Sequence, residues 1–320
     1  LKSESEKRAA SNVIRVSASK LSRFLECRQK VAFGMAGWKL KVQKDYRTWG
    51  SLFHASVELA GAKKLKGAVA AQRVCEMHRK EVGGTWGANQ EQAHEVMQAQ
   101  LEATVPAYLR KWKKDDAKVE ILEREIEFEV PWTERGNQGI SLIGFMDGRL
   151  RRVFDSALGV LEEKTSSRIN EVEIMETLER DFQTNFYLVA HRALWGEPGF
   201  VRYGVTRRCG LKRGTSGKRK ETIDQYRNRV AEHIAADPGN YFLRFHLDTD
   251  ADELENFEKE LSWIIGDYKH WLTTGQPVRA YGNPCLNRYG RCEYLPLCFN
   301  GEEYLYTKEK HAPKTKKAKG

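Results

Sequence analysis

Residues 140–165 read ISLIGFMDGRLRRVFDSALGVLEEKT, and this stretch decides the fold. Two runs with strand character, 140–150 and 159–164, are joined through Asp155-Ser156. The first carries Gly144-Phe145-Met146-Asp147 and the second ends Glu162-Glu163-Lys164-Thr165. Side chains alternate across a strand, so Glu162 and Lys164 share one face and Glu163 takes the other. If the two runs are neighbours in one sheet, Asp147, Glu162 and Lys164 converge on one point. Carboxylates hold a hard cation such as Mg2+, and a nearby ammonium orients water or stabilises developing negative charge. That combination suits cleavage of a phosphodiester. The plain alternative is a strand end whose charges simply meet solvent.

The flanking sequence supplies a frame for such a sheet. Residues 119–130 alternate apolar and charged side chains, with a slip near Glu125, and predict a half-exposed strand; 131–139 is turn-rich. Upstream, Ser17 and Ser19 can cap a helix carrying Leu21, Phe24, Leu25 and Cys27. A helix over about 49–64 places Phe53, Val57 and Ala60 on one stripe and His54 and Glu58 on the next. Residues 67–114 lack alternation and predict two or more helices broken around Gly83-Gly84. Downstream, 171–195 predicts one long helix. Its apolar stripe is Ile174, Leu178, Phe182 and Val189, and its polar stripe is Arg180, Gln183, Tyr187 and His191. Strands at 200–206 and 241–247 bracket a basic loop, and 253–272 is helical. This order predicts a mixed α/β domain, a core sheet flanked by helices with an N-terminal helical insertion. The expected limits are a flexible start (1–16), one domain over 17–300 and a basic flexible tail (301–320). Within that domain the helical part covers about 50–118, the sheet and its helix about 119–206, and a cysteine segment 284–298.

Composition is compatible with a nucleic-acid partner. The 320 residues carry a formal net charge of +10, and 31% of them are charged. The sequence pI is about 9.2 and the mean hydropathy −0.64. No apolar run approaches the roughly 20 residues of a membrane span. The basic excess is concentrated in Arg207, Arg208, Lys212, Arg213, Lys218, Arg219 and Lys220, among glycines and small residues. That segment is either a solvated hairpin loop or a contact to the DNA backbone. Six cysteines at wide spacing are not a small disulfide scaffold, and a reducing, cytoplasmic setting is expected. Cys285, Cys292 and Cys298 form a cluster one ligand short, which Cys27 could complete. Cys75 and Cys209 read as ordinary thiols.

Four motifs in order give the chain a family likeness. They are Gly50-Ser51-Leu52-Phe53-His54, Gly144-Phe145-Met146-Asp147, Glu162-Glu163-Lys164 and Gln183-Thr184-Asn185-Phe186-Tyr187. The chain thereby resembles the PD-(D/E)XK nuclease superfamily over roughly residues 17–298, and within it the RecB-like exonucleases, including the AddB-like branch. The Gly-to-His spacing is one residue longer than the tightest form, and Glu-x-Lys stands where Asp-x-Lys is commoner. The resemblance implies a restriction-endonuclease-like sheet and Mg2+- or Mn2+-dependent exonuclease activity on DNA. His54, Asp147 and Glu162 would be metal ligands, with Glu163 offering its backbone carbonyl. An imidazole ligand favours Mn2+ more than an all-oxygen site does. Lys164 would touch the attacking water or the phosphate, and Gln183 and Tyr187, four apart on one helical face, would orient it.

The resemblance also implies a [4Fe–4S] cluster on Cys27, Cys285, Cys292 and Cys298, with zinc as the alternative. DNA is the implied partner, beside a helicase or recombination protein, since the chain has no Walker A sequence. Two rival functions remain. An iron–sulfur DNA glycosylase shares the outer cysteine intervals but is all-helical and needs a central Cys-x-x-Cys. A non-catalytic DNA-binding scaffold would keep the fold, although the intact Asp147, Glu162 and Lys164 weigh against it.

Overall fold

The computed structural model describes residues 13–41, 45–82, 84, 86–133, 139–217, 220–282, 284–287 and 290–309. In chain order the elements begin β1 (Ile14–Val16), α1 (Ala18–Glu26), α2 (Arg28–Met35), β2 (Trp38–Leu40), α3 (Asp45–Ala62), α4 (Gly67–Val82) and α5 (Ala88–Asp116). Next come β3 (Val119–Trp132), β4 (Ile140–Arg152), β5 (Leu158–Ser166), α6 (Glu171–Leu178), α7 (Phe182–Trp195) and β6 (Phe200–Arg207). The chain continues through α8 (Ile223–Ala236), β7 (Phe242–Asp248) and α9 (Ala251–Thr274). It closes with β8 (Leu286–Asn287), β9 (Gly290–Arg291), α10 (Leu295–Asn300) and β10 (Tyr306–Lys308). The chain divides into two compact units, one of residues 1–43, 129–143 and 255–320, the other of 44–128 and 144–254. β3 and β4 run through both.

In the larger unit the sheet is mixed. β4 pairs antiparallel with β5, β5 parallel with β6, and β6 antiparallel with β7. β5 and β6 are parallel because α6 and α7 form the crossover between them, as parallel neighbours require. This is the expected α/β fold, a central mixed sheet flanked by helices. The helical core comes from α3, α4, α5 and α8. Trp49 stacks on Phe53 at 5.4 Å, and Phe53 meets Tyr108 edge-on at 5.4 Å. Leu101, Val105, Tyr226 and Val230 complete the buried centre. On the sheet, Val119, Leu150, Leu161 and Phe200 form a second cluster.

The slip near Glu125 is a real backbone event. Glu125 has φ +49°, a left-handed conformation that a non-glycine residue adopts at a cost of about 1–3 kcal/mol. After it the buried positions of β3 are Ile126, Phe128, Val130 and Trp132, strictly alternate.

Two expectations change. The single helix over 171–195 is two: the first ends at Leu178 with Glu179 as its C-cap, and Asp181 caps the second, its Oδ1 accepting the Thr184 N–H at 2.8 Å. His191 of the polar stripe is fully buried, its Nδ1 3.0 Å from the Gly196 carbonyl oxygen. A further helix, α8, stands where only a loop and a strand were expected. Thr222 and Gln225 form a reciprocal capping box at its start.

In the smaller unit, β1 lies parallel to the first residues of β4, and β2 pairs antiparallel with β10. Ser17 caps α1 as expected, its hydroxyl accepting from the Lys20 N–H. Phe24 of α1 packs edge-on to Tyr268 of α9 at 5.3 Å. Tyr294, Leu297 and Tyr306 close a small core with Phe33, Trp38 and Leu40. Among the described residues no helix is long and apolar enough to cross a membrane.

Candidate active site

The β4–β5 register sets the site. Gly148 pairs with Leu161, so Asp147 stands beside Glu162 at the next step. Asp147 Oδ2 accepts the Glu163 backbone N–H at 2.6 Å, which ties the tip of β4 to β5. Glu162 is 1% exposed. Its Oε1 receives the Lys164 ammonium, and its Oε2 is buried without a hydrogen-bond partner among the described residues. Burial, opposed by Lys164 and reinforced by Asp147, pushes the Glu162 carboxyl up to about 8. A buried carboxylate with one free oxygen is an expensive arrangement that a cation would relieve.

Lys164 also donates to Gln183 Oε1 at 2.8 Å, and Gln183 Nε2 donates to the Tyr187 hydroxyl at 2.9 Å. Burial works against the ammonium, but Glu162, Asp181 and Asp147 outweigh it and raise its pKa. Lys164 is therefore a held cation rather than a base. Asp181, the cap of α7, was not singled out in the sequence, yet its charge acts on both Lys164 and Glu162.

The motif glycines have packing reasons. A Cβ on Gly50 would stand 2.6 Å from Thr165 Oγ1, so α3 comes close to β5 just beyond Lys164 only because that residue is glycine. His54 and Glu58 follow at four-residue steps on the same helical face, and both are half-buried. A Cβ on Gly144 would meet the Phe128 ring at 2.7 Å and the Tyr187 ring at 3.2 Å. The GFMD glycine thus lets α7 settle on β4.

Two further carboxylates belong to this neighbourhood. Burial, Asp147 and then Glu58 raise the Glu125 carboxyl. The kink in β3 therefore delivers a third acid within electrostatic reach of Asp147. Its sequence signal was the slip in alternation. For Glu58 the signal was its place one turn after His54. Among the described residues no three His, Cys, Asp or Glu side chains stand together as a finished cage for a metal ion.

Glu163 turns away, as alternation requires. Its carboxylate lies on the opposite face, where Oε1 accepts from the Tyr108 hydroxyl at 2.7 Å. The basic loop is partly spent on its own structure. Arg208 donates to Gln100, Arg213 to the Glu221 carbonyl, and the Arg207 guanidinium lies 5.5 Å over the Tyr241 ring. Lys212 and Lys220 are exposed, while Lys218 and Arg219 fall outside the described residues.

In the smaller unit, Cys27, Cys285, Cys292 and Cys298 all line one small pocket, together with Lys30, Arg279 and Ala280. The Ala280 N–H donates to Cys27 Sγ at 3.4 Å, and Cys285 Sγ donates to the Ala280 carbonyl at 3.3 Å. Burial raises the thiols of Cys292 and Cys298, and the other cysteines add to it, while Lys30 lowers the first and Arg279 the second. Cys75 and Cys209 are buried elsewhere.

No curated protein matches the chain. The sequence profile of the PD-(D/E)XK nuclease superfamily does, over residues 15–299, a span that includes all four motifs and the four pocket cysteines. The chain belongs to the PD-(D/E)XK nuclease superfamily.

Proposed function

We propose that this protein is a divalent-cation-dependent DNA exonuclease of the RecB-like, AddB-like kind, acting on DNA ends in recombination or repair. The observation that carries the reading is the buried, unpartnered Oε2 of Glu162 beside Asp147, with Lys164 held between Glu162 and Gln183. Asp147, Glu162, His54 and the Glu163 carbonyl would hold Mg2+ or Mn2+. The cation supplies Lewis-acid polarisation of the scissile phosphate and makes nearby water a better nucleophile. Lys164, kept protonated, aims its N–H groups at the attacking water or a phosphate oxygen. Gln183 fixes that aim, and Tyr187 fixes Gln183. The DNA backbone would meet Arg207, Arg208, Lys212, Arg213 and Lys220, with Lys212 and Lys220 the best exposed. A helicase or recombination protein would be the working partner, in a reducing cytoplasm.

The four-cysteine pocket supports a [4Fe–4S] cluster as the second resident group. Its thiols come from both ends of the chain, and Lys30 and Arg279 on its wall offset thiolate charge. A single zinc ion is the smaller alternative, needing four sulfurs drawn to about 2.3 Å from one centre. The cluster's part here is structural, holding the cysteine segment against α2.

Incubating the purified protein with end-labelled single- and double-stranded DNA, with Mg2+ or Mn2+ and with a chelator, tests the nuclease reading. Anaerobic purification tests the cluster: a brown protein with visible charge-transfer absorbance supports it. A colourless protein holding one zinc overturns it. Cys292→Ala should then lower thermal stability sharply.

A further inference from the structure

Behind the site, on the face of β5 that Glu163 occupies, lies a charged cluster that the catalytic face does not use. Glu163, Gly204 and Arg244 are register partners across β5, β6 and β7. The Arg244 side chain is 1% exposed, yet it carries a full charge. It donates to Asp115 at 3.0 Å, to Asp116 at 2.8 Å and to the Tyr108 hydroxyl at 2.8 Å. Its guanidinium lies 4.3 Å over the Trp112 ring. Arg202, equally buried, donates to Asp116 at 2.9 Å. The Tyr108 hydroxyl in turn donates to Glu163 Oε1, 3.5 Å from the Arg244 guanidinium. Room for this carboxylate exists only because position 204 is glycine: a Cβ there would overlap it.

Such a cluster is a poor way to gain stability. Taking ions out of water costs several kcal/mol each, and a well-packed apolar replacement is often neutral or stabilising. The geometry supplies another use. In an extended strand a residue's N–H and C=O point to the same side. The Glu163 N–H is spent on Asp147 Oδ2, so its carbonyl points to the same side of the strand, toward β4. A twist of residue 163 about the strand axis would move its side chain, N–H and C=O together. Clamping the carboxylate from behind therefore fixes the front.

We propose that Tyr108 and Arg244 are positioning residues for the cation site, acting through Glu163, whose clamped side chain sets the direction of its own N–H and C=O. This rests on the nuclease reading only in supposing that Asp147 and Glu162 hold a divalent cation. Outer-layer partners of metal ligands are worth about 10–100-fold in metal affinity, and Tyr108 and Arg244 stand in that relation to the site.

Direct Mn2+ binding by the full-length protein without DNA, followed by the electron paramagnetic resonance of free Mn2+, reads the effect apart from turnover. Tyr108→Phe keeps every charge and the aromatic packing, and should weaken Asp147-dependent Mn2+ binding about 5-fold. Glu163→Ala should weaken it about 10–100-fold. Glu163→Gln, which still accepts from Tyr108, should lose less than Glu163→Ala. In cleavage assays the loss should appear as a higher half-saturating Mn2+ concentration with unchanged KM for DNA. Arg244→Lys should recover part of what Arg244→Met loses. If Arg244→Met does not fold, the Tyr108 and Glu163 variants decide. Mn2+ binding indifferent to Tyr108→Phe and Glu163→Ala would overturn this inference alone. Wild-type protein with no Asp147-dependent Mn2+ binding would overturn the nuclease reading as well.

Discussion

Glu162 and Glu163 are adjacent in the chain, one buried and the other half-buried, yet they live in opposite electrostatic worlds. On one face of β5, Glu162 meets Lys164 alone, its second oxygen is unpartnered, and its carboxyl is driven upward. On the other face, Glu163 is held by the Tyr108 hydroxyl, with the Arg244 guanidinium close by. Each carboxylate keeps one buried oxygen without a hydrogen-bond partner among the described residues, but the charge beside Glu162 includes another carboxylate, Asp147, whereas Glu163 faces the buried guanidinium of Arg244. One strand thus carries the candidate cation site on its front and a buried charge cluster on its back.

Each face can be perturbed without the other. The largest effect is expected on the front. Lys164→Ala removes the cation that pairs with Glu162 and should lower cleavage about 100–1,000-fold while leaving the fold intact. On the back, Gly204→Ala puts a methyl group into the Glu163 carboxylate. It should cost about 1–3 kcal/mol of stability by overpacking, measured by chemical denaturation.

The smallest effect is one of pH and again belongs to the front. The Glu162 carboxyl is raised by burial to about 8, above its unfolded value, so the folded state favours its neutral form. Its contribution to stability is full below the unfolded value and is lost as pH rises toward 8. Cation binding requires the carboxylate. The thermal shift produced by Mg2+ should therefore be larger at pH 8.5 than at pH 6, whereas Glu162→Gln should abolish that difference.

The front of the site was legible in the sequence and the back was not, for a physical reason. Asp147, Glu162 and Lys164 lie in one hairpin, where strand alternation alone assigns faces. His54 and the roles of Gln183 and Tyr187 come from the likeness to the nuclease superfamily, and helical spacing puts the latter two on one face. The partners of Glu163 come from α5, β6 and β7, and Arg202 and Arg244 read as ordinary strand charges until the register brings them together. The kink at Glu125 left a trace in the alternation of β3, but its consequence, an acid near Asp147, needed the third dimension. The break at Asp181 was hidden because the apolar stripe continues in phase from Leu178 to Phe182, although an aspartate followed three residues later by Thr184 is a capping signal. The start of α8 was masked by the basic loop before it. Part of that loop's charge serves local structure, with Arg213 closing on the Glu221 carbonyl beside Arg229 of α8, which pairs with the Glu221 carboxylate.

The most direct test of the account is cleavage of end-labelled DNA by the wild-type protein and by Asp147→Ala, with and without Mn2+. The account predicts progressive shortening from an end by the wild type only when Mn2+ is present, and none by Asp147→Ala under any condition. Cleavage that persists in Asp147→Ala, or that is indifferent to a chelator, would contradict it.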